Sequence, residues 1–263
     1  MKLGIIGHGI VGSATAHAFC GHDVRCWDVA PGKATHHLSE AMEADLVFVC
    51  LPTPQREGEL RSDLSALEHF FSTATKFRNY VLRSTVPVGT TRRIRETYGI
   101  LNVVHWPEFL TMRTAKEDAV NPRRNVVGSP TRDGLTEAGC ELANLLLEEF
   151  PKTPLHTMSS DESEAVKLFQ NAFSACKVSI FNELRTFADK RGLDWNRVLE
   201  ALLAGGWINP AHTAVPGADG LRGWGGSCFP KDLASLESQM TDDELLVTML
   251  TAARIRNEED RKR

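Results

Sequence analysis

The 263-residue chain has 42% hydrophobic and 24% charged residues, an ordinary globular composition that can fill one large core or two modest ones. Its formal net charge of −4 offers no positive field to a nucleic acid backbone, which argues against nucleic-acid binding. No stretch approaches the roughly 20 apolar residues of a membrane span, so we expect neither a leader nor a membrane anchor and hence a cytoplasmic protein. Six scattered cysteines without CxxC spacing argue against a disulfide framework and against a metal site.

Short apolar runs alternate with helical patterns through the first half of the chain. Six runs predict buried strands: Leu3–Ile6, Val24–Trp27, Leu46–Leu51, Tyr80–Leu82, Leu101–Val104 and Asn125–Val127. Strands that alternate with helices imply right-handed crossovers. The pattern therefore predicts an α/β fold with a doubly wound parallel sheet.

A glycine-rich turn follows the first predicted strand and precedes a helix predicted over Ser13–Phe19. Its GxGxxG spacing allows a pyrophosphate to approach the backbone, while the helix N-terminus supplies N–H donors. Asp28 closes the second strand, where its carboxylate can bind ribose hydroxyls and repel a 2′-phosphate. We therefore predict a Rossmann domain that binds NAD rather than NADP. The turn and this aspartate give the first cofactor-binding candidates: Gly7, Gly9, Ile10, Val11, Gly12 and Asp28.

Strand-like runs cease near residues 156–160, where Asp161 and Glu164 resemble a capping box that opens a long helix. We place the domain boundary here, with the Rossmann domain over residues 1–157 and a helical domain over residues 158–263. An apolar stripe recurs along the long helix at three- and four-residue spacing: Ala165, Phe169, Phe173, Cys176, Ile180, Leu184 and Phe187. We expect this stripe to pack against the first domain or a second subunit.

Two groups of residues are candidates for chemistry in the second half. Glu164, Lys167 and Asn171 lie on one helix face, where lysine and asparagine could stabilise an oxyanion; a solvated face is the alternative. Cys228 follows two glycines and precedes Pro230, a residue favoured in the first turn of a helix. The helix dipole and the adjacent lysine would favour its thiolate, whereas most cysteines are small buried hydrophobes.

Five sequence blocks in order resemble the UDP-glucose/GDP-mannose dehydrogenase family. They are Val49–Pro54, Ser84–Thr91, Pro107–Leu110, Glu164 with Lys167 and Asn171, and Gly225–Asp232. The resemblance spans nearly the whole chain and implies a Rossmann domain followed by a helical dimerisation domain, hence a homodimer. It also implies two successive NAD-dependent oxidations that convert a primary alcohol of a sugar nucleotide, such as a UDP-sugar, into a carboxylate.

The resemblance assigns a role to each matching residue. Cys228 resembles the nucleophile that holds the aldehyde as a thiohemiacetal and then as a thioester. Lys167 and Asn171 resemble the groups that stabilise the oxyanion, and Glu108 the carboxylate that assists thioester formation or hydrolysis. Asp232 and Thr85 resemble groups that position water and assist proton transfer. The family's further cofactor contacts map onto Lys33, Pro52, Thr53, Ser84, Thr85 and Lys231. Its substrate contacts map onto Glu108, Phe109, Leu110, Lys167, Asn171 and Gly225, with His212 or Arg222 reaching the neighbouring subunit's substrate.

Two departures from the family pattern leave the substrate open. The chain ends where family members continue into a second Rossmann-like domain, which we expect it to lack, and Met112 occupies an often acidic position. Another sugar nucleotide or a smaller alcohol is therefore an alternative substrate. A two-electron hydroxyacid dehydrogenase is a second alternative, although it needs no thiol. A non-catalytic NAD-binding paralogue is a third, although it needs no such catalytic set.

Overall fold

The structure is a computed structural model that describes residues 1–131 and 134–262. The chain forms two compact units. The first unit comprises Met1–Pro54 and Ser62–Lys167, and the second comprises Gln55–Arg61 and Leu168–Arg263. The division therefore falls later than the predicted boundary after residue 157 and lies inside a long helix.

The first unit alternates strands and helices. Its strands are β1 (Lys2–Ile6), β2 (Asp23–Trp27), β3 (Leu46–Val49), β4 (Tyr80–Leu82), β5 (Val103–His105), β6 (Asn125–Ser129) and β7 (Leu155–Ser159). Its helices are α1 (Ile10–Ala18), α2 (Leu38–Met42), α3 (Ser65–Thr73), α4 (Thr90–Tyr98), α5 (Ala115–Val120) and α6 (Glu137–Glu149). Among the described residues the strand order is β2-β1-β3-β4-β5-β6-β7, and the pairs are parallel except β5 with β6. The predicted α/β class is confirmed.

The sheet is buried on both faces, which explains why its strands appear as continuous apolar runs. Along β3, Leu46 and Phe48 belong to one hydrophobic core, whereas Val47 and Val49 belong to the other. This alternation follows from the two-residue repeat of a strand. The sheet thus holds the loops at its strand ends on a rigid support.

Strand β7 is not among the six predicted strands, although it ends within the change of pattern predicted near residues 156–160. Residues Leu155–Ser159 pair in parallel register with β6. His156, Thr157 and Ser159 are exposed, while Leu155 and Met158 are half-buried. An edge strand with polar outward residues carries no apolar run, which is why the sequence pattern missed it.

Helix α7 (Ser160–Lys190) begins with a different cap from the predicted one. The carboxylate of Glu162 accepts hydrogen bonds from the Ser159 N–H at 2.8 Å and hydroxyl at 2.7 Å, and the Ser159 oxygen accepts the Glu162 N–H at 3.2 Å. The predicted box of Asp161 and Glu164 is therefore wrong. The Asp161 carboxylate instead pairs with Arg92 at 3.1 Å.

The second unit is helical, as predicted, and contains most of α7 together with α8 (Trp195–Ala204), α9 (Phe229–Asp242) and α10 (Met249–Asp260). In its interior, Ala172 and Ala175 of α7 pack with larger side chains. The larger members of this cluster are Val178, Trp224, Leu233 and Leu236. Across the described part of the chain, no helix is both long enough and apolar enough to span a membrane.

The predicted apolar stripe on α7 faces solvent over most of its length. Its exposed members are Phe169, Phe173, Ile180, Leu184 and Phe187, with Phe173 at 71%. The residues that α7 buries are offset from the stripe and include Leu168 and Ala175. A broad apolar surface thus remains uncovered within the second unit.

Candidate functional site

The glycine turn has the geometry that a dinucleotide requires. Gly7 has a φ of 90°, and a Cβ there would lie 2.6 Å from the Cys50 carbonyl oxygen. A Cβ at Gly12 would lie 2.0 Å from the Gly7 oxygen, whereas a Cβ at Gly9 would meet nothing within 4 Å. Gly7 and Gly12 therefore permit strand and helix to pack closely, and Gly9 leaves open backbone at the N-terminus of α1. These residues fit the pyrophosphate of NAD.

Asp28 lies beside this turn, as predicted. One carboxylate oxygen accepts the His8 N–H at 2.7 Å, and the other accepts the Ala30 N–H at 2.7 Å. The His8 ring is also hydrogen-bonded to the Lys33 carbonyl oxygen at 2.8 Å. Gly9, Ile10 and Lys33 line a cleft of about 570 Å³ in the first unit. Val11 is half-buried in the first turn of α1.

Two loops at the ends of β3 and β4 are tied together. The hydroxyl of Thr53 donates to the Thr85 carbonyl oxygen at 2.7 Å, and that of Ser84 donates to the Leu51 carbonyl oxygen at 2.6 Å. Pro52 is exposed and Thr85 is half-buried. The carboxyl ends of adjacent parallel strands are where ligands bind in such sheets. The predicted residues of both loops thus lie at the appropriate edge.

Glu108 and Lys167 form a buried ion pair in the first unit. Their side chains are 9% and 4% exposed, and the oxygen and nitrogen lie 2.8 Å apart. The second Glu108 oxygen accepts the Leu110 N–H at 2.7 Å, and the Lys167 nitrogen lies 5.7 Å from the Phe109 ring centre. Burial opposes ionisation of Glu108, but Lys167 and the Leu110 N–H outweigh it and hold the pKa of this carboxyl below its usual value.

Arg83 is a buried cation that the sequence interpretation missed. Its guanidinium lies 3.6 Å over the Trp106 ring and donates to the Trp106 carbonyl oxygen at 3.1 Å. Within the described residues its Nε has no hydrogen-bond partner. Burial lowers the pKa of Arg83 to about 10, against the influence of Cys50 and Glu108. Arg83 therefore contacts the segment that leads to Glu108, which follows Trp106 by two residues. The available signal was a charge directly after the apolar run of β4.

Glu164 caps helix α4 through its side chain. Its carboxylate accepts the N–H of Gly89 at 2.6 Å and both the N–H (2.7 Å) and the hydroxyl (2.6 Å) of Thr91. Burial raises the pKa of Glu164 to about 7, although these donors act in the opposite direction. The alternative of a solvated helix face is wrong, because Glu164, Lys167 and Asn171 are all buried. These contacts hold the first turns of α7 to the first unit. They explain why the boundary between the two units falls after residue 167.

Cys228 and Asp232 lie one turn apart at the beginning of α9, in the second unit. Cys228 is the half-buried N-cap residue, and its carbonyl oxygen accepts the Asp232 N–H at 3.0 Å. Asp232 is 2% exposed and accepts a hydrogen bond from the Asn171 amide at 2.6 Å. Its other oxygen pairs with Lys231. Lys231, predicted to assist the thiolate and to bind the cofactor, therefore has Asp232 as its ionic partner.

The loop before Cys228 is held by two asparagines that the sequence analysis did not identify. The Asn257 side-chain oxygen accepts the Trp224 N–H at 2.6 Å, and that of Asn182 accepts the Gly223 N–H at 3.0 Å. The Trp224 indole donates to Ser179 at 2.9 Å. At Gly225, a Cβ would lie 1.7 Å from the Arg261 guanidinium. This packing fixes the backbone that leads to Cys228.

His212 and Arg222 differ in their surroundings within the second unit. Arg222 donates to the Thr186 hydroxyl at 3.1 Å and pairs with Asp189. His212 is exposed, has a positive φ of 64°, and meets the Phe229 ring edge-on at a centroid distance of 5.3 Å. Arg222 is thus engaged internally, and His212 is the side chain presented to solvent.

Comparisons with known proteins give consistent matches. Residues 32–143 match the NAD binding domain of the UDP-glucose/GDP-mannose dehydrogenase family, and residues 161–259 match its central domain. The first match confirms the prediction of NAD as the cofactor. Together the two matches cover more than half of the chain.

Individual relatives agree with this match. The chain is similar to UDP-glucose 6-dehydrogenase of Campylobacter jejuni (31% identity, 77% of this chain and 51% of the relative) and of Rhizobium meliloti (32% identity, 95% and 66%). It is also similar to the structure of a UDP-glucose dehydrogenase from Pyrobaculum islandicum, with 26% identity, a TM-score of 0.80 and coverage of 98% and 68%. The chain therefore spans about half of the first of these curated relatives and about two thirds of the second.

Proposed function

The chain belongs to the UDP-glucose/GDP-mannose dehydrogenase family, and on this premise we propose that it oxidises a primary alcohol of a sugar nucleotide to a carboxylate. The observation that carries the proposal is the half-buried Cys228 at the first turn of α9, one turn from the buried Asp232 that Asn171 binds. A buried asparagine–aspartate pair beside a thiol has no evident use in a protein that only binds NAD.

We assign the nucleophilic role to Cys228. NAD, when bound, accepts one hydride in each of the two oxidations. An aldehyde is a poor hydride donor until a nucleophile adds to it, and the Cys228 thiolate supplies that nucleophile. Its sulfur forms a bond to the aldehyde carbon and gives a thiohemiacetal, which becomes a thioester when the second hydride leaves.

Fixed donors and acceptors perform the remaining steps. Lys167 and Asn171, one turn apart on α7, stabilise the negative charge that develops on the substrate oxygen. Asp232, supported by Thr85, orients the water that attacks the thioester, and Glu108 accepts a proton from that water. The carbon–sulfur bond then breaks, and the thiolate leaves as the carboxylate forms. Each substrate molecule thus consumes two NAD and one water.

The substrate proposed first is a UDP-sugar, because the relatives named above are UDP-glucose 6-dehydrogenases. A panel of UDP-, GDP- and dTDP-sugars with NAD, scored by NADH absorbance and product mass, tests this choice. We expect one sugar nucleotide to give two NADH and one acid per molecule. One NADH per molecule would instead indicate a two-electron dehydrogenase, and inertness of every sugar nucleotide, smaller alcohol and nucleoside would indicate a binding module.

The role of the thiol is tested by Cys228→Ala, with Cys140→Ala as the matched control because Cys140 is an exposed cysteine of the first unit. We expect Cys228→Ala to abolish acid formation and to leave NAD affinity nearly unchanged, since the thiol acts on the substrate. Cys140→Ala should retain full activity. Acid formation by Cys228→Ala at the parent rate would refute the role.

We further propose that a second copy of the chain covers the apolar stripe of α7. Its exposed aromatic and aliphatic side chains lie along one helix, as in an isologous helix–helix interface. Phe173→Glu should convert the dimer into a monomer in analytical ultracentrifugation. Phe77→Glu, which changes an 88% exposed phenylalanine in the first unit, is the control and should leave the dimer intact.

A further inference from the structure

The cleft beside the glycine turn contains positive side chains that the glycine motif itself does not require. Gly9, Ile10 and Ser13 line it from the turn and the first turn of α1. Arg113 and Lys116, from the segment where α5 begins, line it as well. The cleft has a volume of about 570 Å³. Two separate segments of the first unit thus face one cavity.

The charges of this cleft are unbalanced. Within the residues that the structure describes, the side chains of Lys33, Arg113 and Lys116 make no hydrogen bond and no ion pair, and all three are exposed. Glu117 is the acidic residue of the lining. Three cations against one carboxylate give the cleft a net positive charge, which favours an anionic ligand.

Close helix packing holds Arg113 near the first turn of α1. Ala14 of α1 is buried together with Ala115 and Ala119 of α5, and Leu110 packs against this cluster. Small side chains at the contact allow the two helices to approach closely. Since Arg113 lies two residues before Ala115, its backbone has little freedom to move away from the cleft.

We propose that Arg113, assisted by Lys116, binds the pyrophosphate of NAD from the side opposite the glycine turn. The N–H groups at the start of α1 satisfy some of the phosphate oxygens. A guanidinium offers a planar pair of donors that matches a second pair of oxygens. Asp28 would repel the 2′-phosphate of NADP. We therefore assign the cations of the cleft to the pyrophosphate and not to a 2′-phosphate. The inference rests on the proposed function only in taking NAD as the cofactor.

Binding measurements on the 263-residue chain test the assignment without any turnover. Isothermal titration calorimetry would measure the affinities of the parent, Arg113→Ala and Lys116→Ala for NAD and ADP-ribose. Adenosine, which lacks phosphate, would be titrated as the comparison ligand. Arg123→Ala is the matched control because Arg123 is an exposed arginine of the same unit outside the cleft lining. We expect Arg113→Ala to weaken NAD and ADP-ribose by about tenfold, Lys116→Ala by less, and adenosine to be unaffected.

Each other outcome overturns the assignment in a recognisable way. Unchanged NAD affinity in Arg113→Ala, or an equal loss with Arg123→Ala, would remove Arg113 from the site. An equal loss for adenosine would place its effect on the base and ribose. Tighter binding of NADP than of NAD by the parent would assign the cations to a 2′-phosphate. Failure to form acid from any alcohol, with these affinities as expected, would refute the proposed function and leave the phosphate contact standing.

Discussion

Glu108 and Glu164 are both buried glutamates of the first unit, yet their surroundings give them opposite electrostatic properties. Glu108 faces the ammonium of Lys167, and its pKa is lowered. Glu164 accepts hydrogen bonds from N–H and hydroxyl donors at the α4 N-terminus, and burial raises its pKa to about 7. Burial therefore does not by itself mark a catalytic carboxylate. The kind of partner distinguishes a group kept ionised from one that serves as a cap.

The largest loss of stability should come from removing the ammonium group of the Glu108–Lys167 pair. Lys167→Met leaves the Glu108 carboxylate buried without its partner, and we expect the free energy of unfolding to fall by about 3–5 kcal/mol. Urea denaturation measures it. The double variant Lys167→Met with Glu108→Gln should recover much of the loss, because no unpaired charge remains. A single-variant loss under about 1 kcal/mol would show that water already solvates the pair.

A smaller effect is expected for Glu164→Gln. The amide nitrogen of glutamine cannot accept from the Gly89 or Thr91 donors, so at least one of them loses its partner, at a cost of about 1.5–3 kcal/mol. Glu96→Gln, at an exposed glutamate on α4 itself, is the control and should change the free energy of unfolding by less than about 0.5 kcal/mol. Equal losses in the two variants would contradict a capping role.

The pH dependence of stability should distinguish the two glutamates by sign. Glu164 has a folded pKa above its unfolded value of 4.5, so it lowers the free energy of unfolding as pH rises from about 4.5 to 7. Glu108 has a lowered pKa, so it contributes stability above pH 4.5 that is lost as pH falls. Urea titrations between pH 3 and pH 8 should show the first slope vanish in Glu164→Gln and the second in Glu108→Gln. Parallel curves for the parent and both variants would contradict the distinction.

The smallest effect is expected for Arg83→Lys, which keeps the charge and removes the planar group that stacks on Trp106. We expect the free energy of unfolding to fall by about 1 kcal/mol. If Arg83 positions Glu108, the variant should also shift the acidic limb of the pH profile for acid formation. A stability loss with an unmoved profile would assign Arg83 to packing alone.

The sequence predicted those parts of the molecule that local patterns determine. The inner strands of the sheet follow from apolar runs, and the glycine turn and Asp28 follow from their fixed spacing. The ion pair between Glu108 and Lys167 could be named only through the family resemblance, because the partners stand 59 positions apart in the chain. Glu164 was assigned to the wrong cap since its donors, at Gly89 and Thr91, come from another helix. Contacts between distant segments leave no periodic signal.

The polar side chains of β7, which leave no apolar run in the sequence, also affect how this edge strand meets other chains. As the last strand in the order of the described sheet, β7 presents backbone donors and acceptors that another extended chain could pair with. Its short length and its exposed histidine, threonine and serine make it a poor template for such pairing. Thr157→Ile would make this edge strand more apolar and is expected to promote aggregation.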